Sequence, residues 1–279
     1  MRDGRPGGTD GGTDRGTDGR TTGPTAGTRP VLVGCSHGTD DPAGRAAIAA
    51  VLDGARRRRP WLDVHEAFVD VQEPEVGDVV ADVVGGGATA VVVPLLLSAG
   101  FHTHVDVARA VAQVPGALAS GTLGPDRRIV AVLLDRLRES GAGAGDAVVL
   151  AAAGSSDARS SAAVEAVAEA VRRGWPHGPV SVGYGSAARP TVPEAVAAAR
   201  AGLTGTGRVV AASYLLAPGF FHDRVTRAGA DVVTAPLAPD DRLVDVVLDR
   251  YDCAVARAEG ACLEGRRCPA LAGCAARTA

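Results

Sequence analysis

The sequence has no lysine: all 29 of its basic residues are arginine. With alanine, glycine and valine so abundant, this reads as the habit of a GC-rich coding sequence and excludes no function by itself. Aromatic residues make up only 3% of the chain and no basic stripe runs among them, so the footprint of a nucleic-acid binder is missing. No apolar run approaches the ~20 residues of a membrane span. The leader, residues 1–29, lacks the apolar stretch of about 7–15 residues that a secretory signal needs. These absences predict a cytoplasmic protein with neither nucleic acid nor a membrane as partner. The five cysteines are odd in number, four of them lie beyond residue 252, and no close Cys-x-x-Cys pair occurs, which is a poor basis for a disulfide framework.

What is present is enough apolar material for two ordinary cores or one large one: 46% of 279 residues, with a net charge of only -3. Residues 1–29 repeat Gly-Thr-Asp, hold almost nothing that can be buried, and are expected to be disordered. From Pro30 onward, short valine-rich runs alternate with longer alanine- and arginine-rich segments. That is the βα rhythm of a parallel sheet covered by helices. Strands are predicted over 31–34, 64–71 and 90–97, with helices over 42–59 and 74–85; the unbroken apolar character of the third strand fits burial on both faces.

The pattern then starts again. Residues 147–153 match the first strand and lead into Gly-Ser-Ser-Asp where the first copy has His-Gly-Thr-Asp. Residues 183–190 (Gly-Tyr-Gly-Ser-Ala-Ala-Arg-Pro) lie over 67–74 (Ala-Phe-Val-Asp-Val-Gln-Glu-Pro), and 213–220 (Ser-Tyr-Leu-Leu-Ala-Pro-Gly-Phe) lie over 94–101 (Pro-Leu-Leu-Leu-Ser-Ala-Gly-Phe). Offsets of 117, 116 and 119 residues indicate two tandem α/β domains, over 30–140 and 146–251, followed by a cysteine-containing tail over 252–279.

Comparing the copies points to a site. The first has His37, Glu73 and His102 where the second has Gly154, Arg189 and Phe221. One working site and one retired copy would leave that asymmetry. Ligands of open parallel sheets bind beyond the carboxyl ends of the strands, which is where His37 and His102 fall. Neighbouring strands are about 4.8 Å apart, so two such imidazoles can converge on one small object. A divalent metal ion is the natural candidate, since neutral imidazole ligates iron, cobalt, nickel and zinc; capping of a loop or helix start is the competing role. His104 is a weaker candidate ligand, the role of His222 stays open, and His65 and His177 read as surface or turn residues.

These residues resemble a known family, the class II chelatases of the CbiX and SirB type. The resemblance rests on Ser36-His37-Gly38 after a strand, on residues 68–74 before a helix, and on Pro94-Leu-Leu-Leu-Ser-Ala-Gly-Phe-His-Thr-His-Val-Asp106. It spans residues 30–251, and the family's long form is itself a fused duplication. The resemblance implies two flavodoxin-like chelatase domains and a lyase that inserts Fe2+ or Co2+ into sirohydrochlorin, for siroheme or cobalamin synthesis. It implies that His37 and His102 handle the metal, with Glu73 as an acidic helper. Two departures are Cys35 before Ser36 and Val105-Asp106-Val107 where the family more often has Asp-Ile-Pro nearby.

Such a reaction strips water from the metal and removes two pyrrole protons, and histidine can both coordinate and accept protons near neutral pH. A carboxylate-rich tetrapyrrole calls for guanidinium groups at the cleft. Arg45 and Arg109, early in the helices after the two histidine loops, are candidates, as are Ser36 and Gly100 beside the histidines. A non-catalytic metal or tetrapyrrole carrier would use the same residues without turnover. Because the duplication supplies both halves, a monomer is expected. Cys253, Cys262, Cys268 and Cys274 would hold an iron–sulfur cluster or zinc, or remain reduced thiols.

Overall fold

The computed structural model describes residues 29–98, 101–203 and 205–260, excluding the side chains of residues 101–106. The Gly/Thr/Asp-rich leader up to residue 28, Gly100, Cys262, Cys268 and Cys274 lie outside the described residues.

Two four-stranded, wholly parallel sheets carry the fold. The first is built from β1 (Val31–Ser36), β2 (Val64–Phe68), β3 (Ala90–Pro94) and β4 (Ala117–Ala119), in the order β2-β1-β3-β4. The second repeats that order with β5 (Ala147–Ala152), β6 (Val180–Tyr184), β7 (Val209–Tyr214) and β8 (Val232–Val233). The apolar central strands are buried on both faces, as their unbroken valine runs require. β1 and β3 are indeed neighbours, with Cys35 paired to Pro94, so the loops after them leave the same edge.

Eight helices complete the described chain: α1 (Pro42–Arg58), α2 (Val76–Gly85), α3 (Phe101–Ala112), α4 (Arg127–Glu139), α5 (Ala158–Gly174), α6 (Val192–Ala201), α7 (Phe220–Thr226) and α8 (Asp241–Ala258). α1 starts where Asp41 accepts hydrogen bonds from Ala43 and Gly44 N–H, and the Thr191–Glu194 capping box starts α6. α2 covers the outer face of the first sheet, joining Val31, Val33, Cys35 and Val92 in one cluster; α6 does the same for the second sheet.

The inner faces are covered differently from what two separate domains would suggest. α4, although it belongs to the first repeat, packs on β7 and α5, while α8 packs on β3 and α1. The two crossing helices meet, and a single core runs from Leu32 and Val91 through Leu133 and Leu243 to Leu150 and Val210. Matching arginines tie the exchange together. Arg128 at the start of α4 donates to Asp249 of α8 at 2.6 Å, and Arg242 at the start of α8 donates to Asp135 of α4 at 2.6 Å. Arg250 reaches back to the carbonyls of Thr122 and Leu123, and Arg136 to those of Pro236 and Leu237. Burial pushes the Asp126 carboxyl up, but hydrogen bonds from Arg128 outweigh it and hold the group below its ordinary value.

α8 also extends the structure past the expected end of the second repeat. Cys253 is a half-buried helical residue, not part of a loose tail.

Candidate functional site

The carboxyl ends of β1 and β3 face those of β5 and β7 across a cleft between the halves. One lobe, about 640 Å3, is lined by the loop after β1, by α1, β2 and the β2–α2 loop, and by residues 215–223 of the second half. A second lobe of about 430 Å3 continues toward the tips of β5 and β6. His37, Leu95, Leu96, Leu215, Leu216 and Phe221 border both lobes. At the base, the buried Tyr214 hydroxyl donates to Leu97 O at 3.0 Å, tying the halves together. At one end the halves nearly touch: a Cβ on Gly44 would lie 2.6 Å from Pro218 O, so only glycine fits there.

His37 is the first residue after β1 and projects from the strand tip, exposed to the cleft. Its carbonyl accepts the Asp70 N–H at 3.1 Å, which stitches the β1–α1 and β2–α2 loops together. Gly38, at φ 93°, permits this approach, since a Cβ there would lie 2.2 Å from Asp70 O. Asp70 therefore lines the cleft beside His37, its carboxylate accepting Val71 N–H at 2.8 Å. Glu73 does not: it is exposed, caps Glu75 N–H at 3.2 Å, and is absent from the described cleft lining. The acid of this loop that lines the cleft is Asp70, three residues earlier, whose backbone is tied to that of His37. Its counterpart at an offset of 116 is Ser186, so the pairing of residues 67–74 with 183–190 already set an acid against a neutral residue there.

The structure also corrects one pairing of the repeats. Gly154, at φ 87°, approaches Ser186 O just as Gly38 approaches Asp70 O, so it is the counterpart of Gly38 and His37 lies over Ala153. The second copy lacks the imidazole under either pairing. The loops after β5 and β6 bring to this lobe Ala153, Gly154, Ser155, Ser156, Ser186 and Ala187, none of them ionisable.

α3 begins at Phe101, which places the backbone of His102 in its first turn, just beyond β3 and beside the β1 tip. The side chains of His102 and His104 lie outside the described residues. Among the described residues, no three histidine, cysteine or acidic side chains cluster closely enough to hold a metal ion. Ser36 lines the cleft, largely buried at the end of β1. Cys35 points the other way, into the outer core, where burial pushes its thiol up to about 12, so it offers no thiolate.

Among the described residues, the expected guanidinium groups are not gathered around the cleft. Arg45 lines the cleft, but its Nε donates to Thr39 O at 2.8 Å; Arg109 is exposed on α3 and outside the described cleft lining. Acids dominate instead: Asp40, Asp41, Glu66, Asp70 and Asp223 all line the first lobe. Burial raises the pKa of Glu66 on β2, with Arg56 opposing and Asp53 reinforcing the shift. Such a wall draws a divalent cation and repels carboxylates. His222 enters the same lobe from α7, its Nε2 3.3 Å from Thr234 O, a carbonyl that can only accept. His65 pairs with Asp63, and His177 stacks edge-on against Trp175, both away from the cleft.

Comparison with known proteins agrees with this architecture. A family model described as CbiX matches residues 31–140 and again 147–254. Among solved structures, SirB from Bacillus subtilis with Fe3+ superposes with a TM-score of 0.69 at 21% identity, covering 84% of this chain and 98% of that one. The sirohydrochlorin chelatase SirB from Bacillus subtilis subspecies spizizenii, in complex with cobalt, gives 0.67 at 21% identity over the same shares. CbiX, described as the terminal enzyme for siroheme biosynthesis in denitrifying bacteria, gives 0.59 at 19% identity, covering 81% and 99%. No curated protein sequence matches the chain. Among the described residues, no helix is long and apolar enough to cross a membrane.

Proposed function

This chain belongs to the CbiX family, and on that premise we propose that it is a sirohydrochlorin chelatase, inserting Fe2+ or Co2+ into the tetrapyrrole within the cleft between its halves. The observation that carries this reading is that His37, after β1, and Asp70, after β2, line one lobe with their backbones hydrogen-bonded, where its acids meet the leucine-lined centre. The metal is a substrate here. The acidic wall gathers the hydrated cation, and the imidazole of His37, with His102 from the start of α3, replaces part of its water. Insertion releases two pyrrole protons, and the same imidazoles, with the Asp70 carboxylate, accept them. Leu95, Leu96, Leu215 and Leu216 exclude water around the macrocycle, which strengthens each of these interactions. Both walls come from one chain, which supports a monomer as the working unit.

The test is an anaerobic absorbance assay with metal-free sirohydrochlorin and Fe2+, Co2+ or Ni2+. Metallated product accumulating well beyond one equivalent of protein supports the chelatase. Arrest at one equivalent would make the protein a carrier of metal or tetrapyrrole, and no spectral change with any of the three metals would refute both.

A further inference from the structure

Three large apolar side chains of the described residues stand exposed, and two of them, Val71 and Phe220, line the same lobe of the cleft from opposite halves. Val71 is 49% exposed and holds φ at 64°, the left-handed region that disfavours a β-branched residue. Its counterpart, Ala187, holds φ at 55°, so the loop geometry belongs to the repeat, but only the first half places a bulky apolar group on it. Phe220 is 68% exposed at the start of α7, braced edge-on by Phe221 with ring centroids 5.3 Å apart. Arg224, one turn further on, lies 5.5 Å from the Phe220 ring centroid and has no carboxylate partner among the described residues.

We propose that Val71 and Phe220 are the two jaws of a clamp for the flat faces of the tetrapyrrole, with Arg224 receiving a peripheral carboxylate at the rim. The proposal rests on the chelatase reading and adds the residues that recognise its organic substrate. Charge distribution supports it. Four carboxylates, those of Asp40, Asp41, Glu66 and Asp70, line the lobe from the first half against that of Asp223 alone from the second, so the substrate's carboxylates favour the second-half side, where Arg224 stands. A planar, polarisable macrocycle is the ligand that an exposed aromatic face and a facing aliphatic group accommodate together, and a guanidinium stacked on the aromatic presents its remaining N–H fork to a carboxylate.

The experiment is a fluorescence titration of the full-length chain with metal-free sirohydrochlorin, with melting temperature and solution mass measured alongside. Phe220→Ala is expected to raise Kd about tenfold, and Phe220→Trp to keep it near wild type, because ring area and not shape alone carries the contact. Arg224→Gln should raise Kd several-fold and flatten its dependence on salt. Val71→Asn tolerates the left-handed conformation, so it should weaken binding without lowering the melting temperature, a combination that a structural role for Val71 would not produce. In turnover, Phe220→Ala should raise KM and leave kcat near wild type. An unchanged Kd in Phe220→Ala, with wild type binding normally, overturns the clamp and leaves the chelatase reading standing. A wild-type chain that binds no tetrapyrrole overturns both. A change of oligomeric mass in Phe220→Ala with Kd unaltered would assign the patch to a second copy of the chain instead.

Discussion

Replacing Arg250 tests the helix exchange that joins the two halves. Its side chain is 2% exposed, and it donates to Thr122 O at 2.7 Å and Leu123 O at 2.8 Å, with Asp126 at 3.5 Å. A hydrogen bond from a charged donor contributes roughly 1.5–3 kcal/mol net. Arg250→Ala removes two and opens a cavity where the stem lay. Opposing this, the variant no longer buries a guanidinium whose Nη1 finds no partner, and Asp126 keeps its fork with Arg128. The balance is a loss of about 3 kcal/mol, which at this chain length lowers the melting temperature by roughly 6–12 °C. Arg136 provides an internal control, because it occupies the matching place in α4 but is 17% exposed and makes longer bonds of 3.1 to 3.4 Å to Pro236 O, Leu237 O and Pro239 O. Arg136→Ala should cost only about 1 kcal/mol. Urea and thermal melts of both variants give the comparison, and each should show one cooperative transition, since α4 and α8 each complete the other half's core. Equal losses, or two separable transitions, would refute the reasoning.

Asp70→Asn should slow metal insertion more than Glu73→Gln does, and His37→Ala should slow it by about a hundredfold or more; steady-state rates with equal protein fold checked by circular dichroism decide the order, and a larger effect at Glu73 would reverse our assignment. Glu66→Gln should stabilise the protein at pH 7 and not at pH 4. Burial raises the folded pKa of Glu66 above its ordinary 4.5, so the ionised form costs stability at pH above the folded value and that cost vanishes once the group is protonated; a gain of equal size at both pH values would disprove it. For the cysteine tail, protein purified without oxygen and ending at residue 260 should retain insertion activity, because His37 and Asp70 belong to strand tips whose cores are complete without it. If Cys253, Cys262, Cys268 and Cys274 hold a cluster or zinc, the full chain alone will carry bound iron or zinc, and four freely titratable thiols would dismiss that idea.

The chain's amino-acid order by itself determined the parallel α/β class, the duplication and the position of His37. Those follow from local rules: valine runs buried on both faces, turns fixed by glycine, and a repeat visible at constant spacing. It also marked the difference between the copies, though off by one residue at Gly154, because the short loops after β1 and β5 offer little sequence to align and only the left-handed glycines fix their register. The pairing of the copies set both Asp70 and Glu73 against non-acidic residues, and choosing Asp70 as the one at the cleft was beyond it. Both sit on one seven-residue loop, and which of them lines the cleft depends on the Asp70 N–H to His37 O bond, a contact between segments 33 residues apart. The acidic character of the lobe and the lack, among the described residues, of guanidinium groups gathered around the cleft were hidden for the same reason, since arginines early in a helix look alike until packing sets the direction in which each points. The exchange of α4 and α8 was the least accessible of all. Their amphipathic faces say that each must cover an apolar sheet, but both sheets offer the same kind of surface, and only the closed tertiary arrangement, with Arg128 and Arg242 reaching across to Asp249 and Asp135, decides which helix covers which.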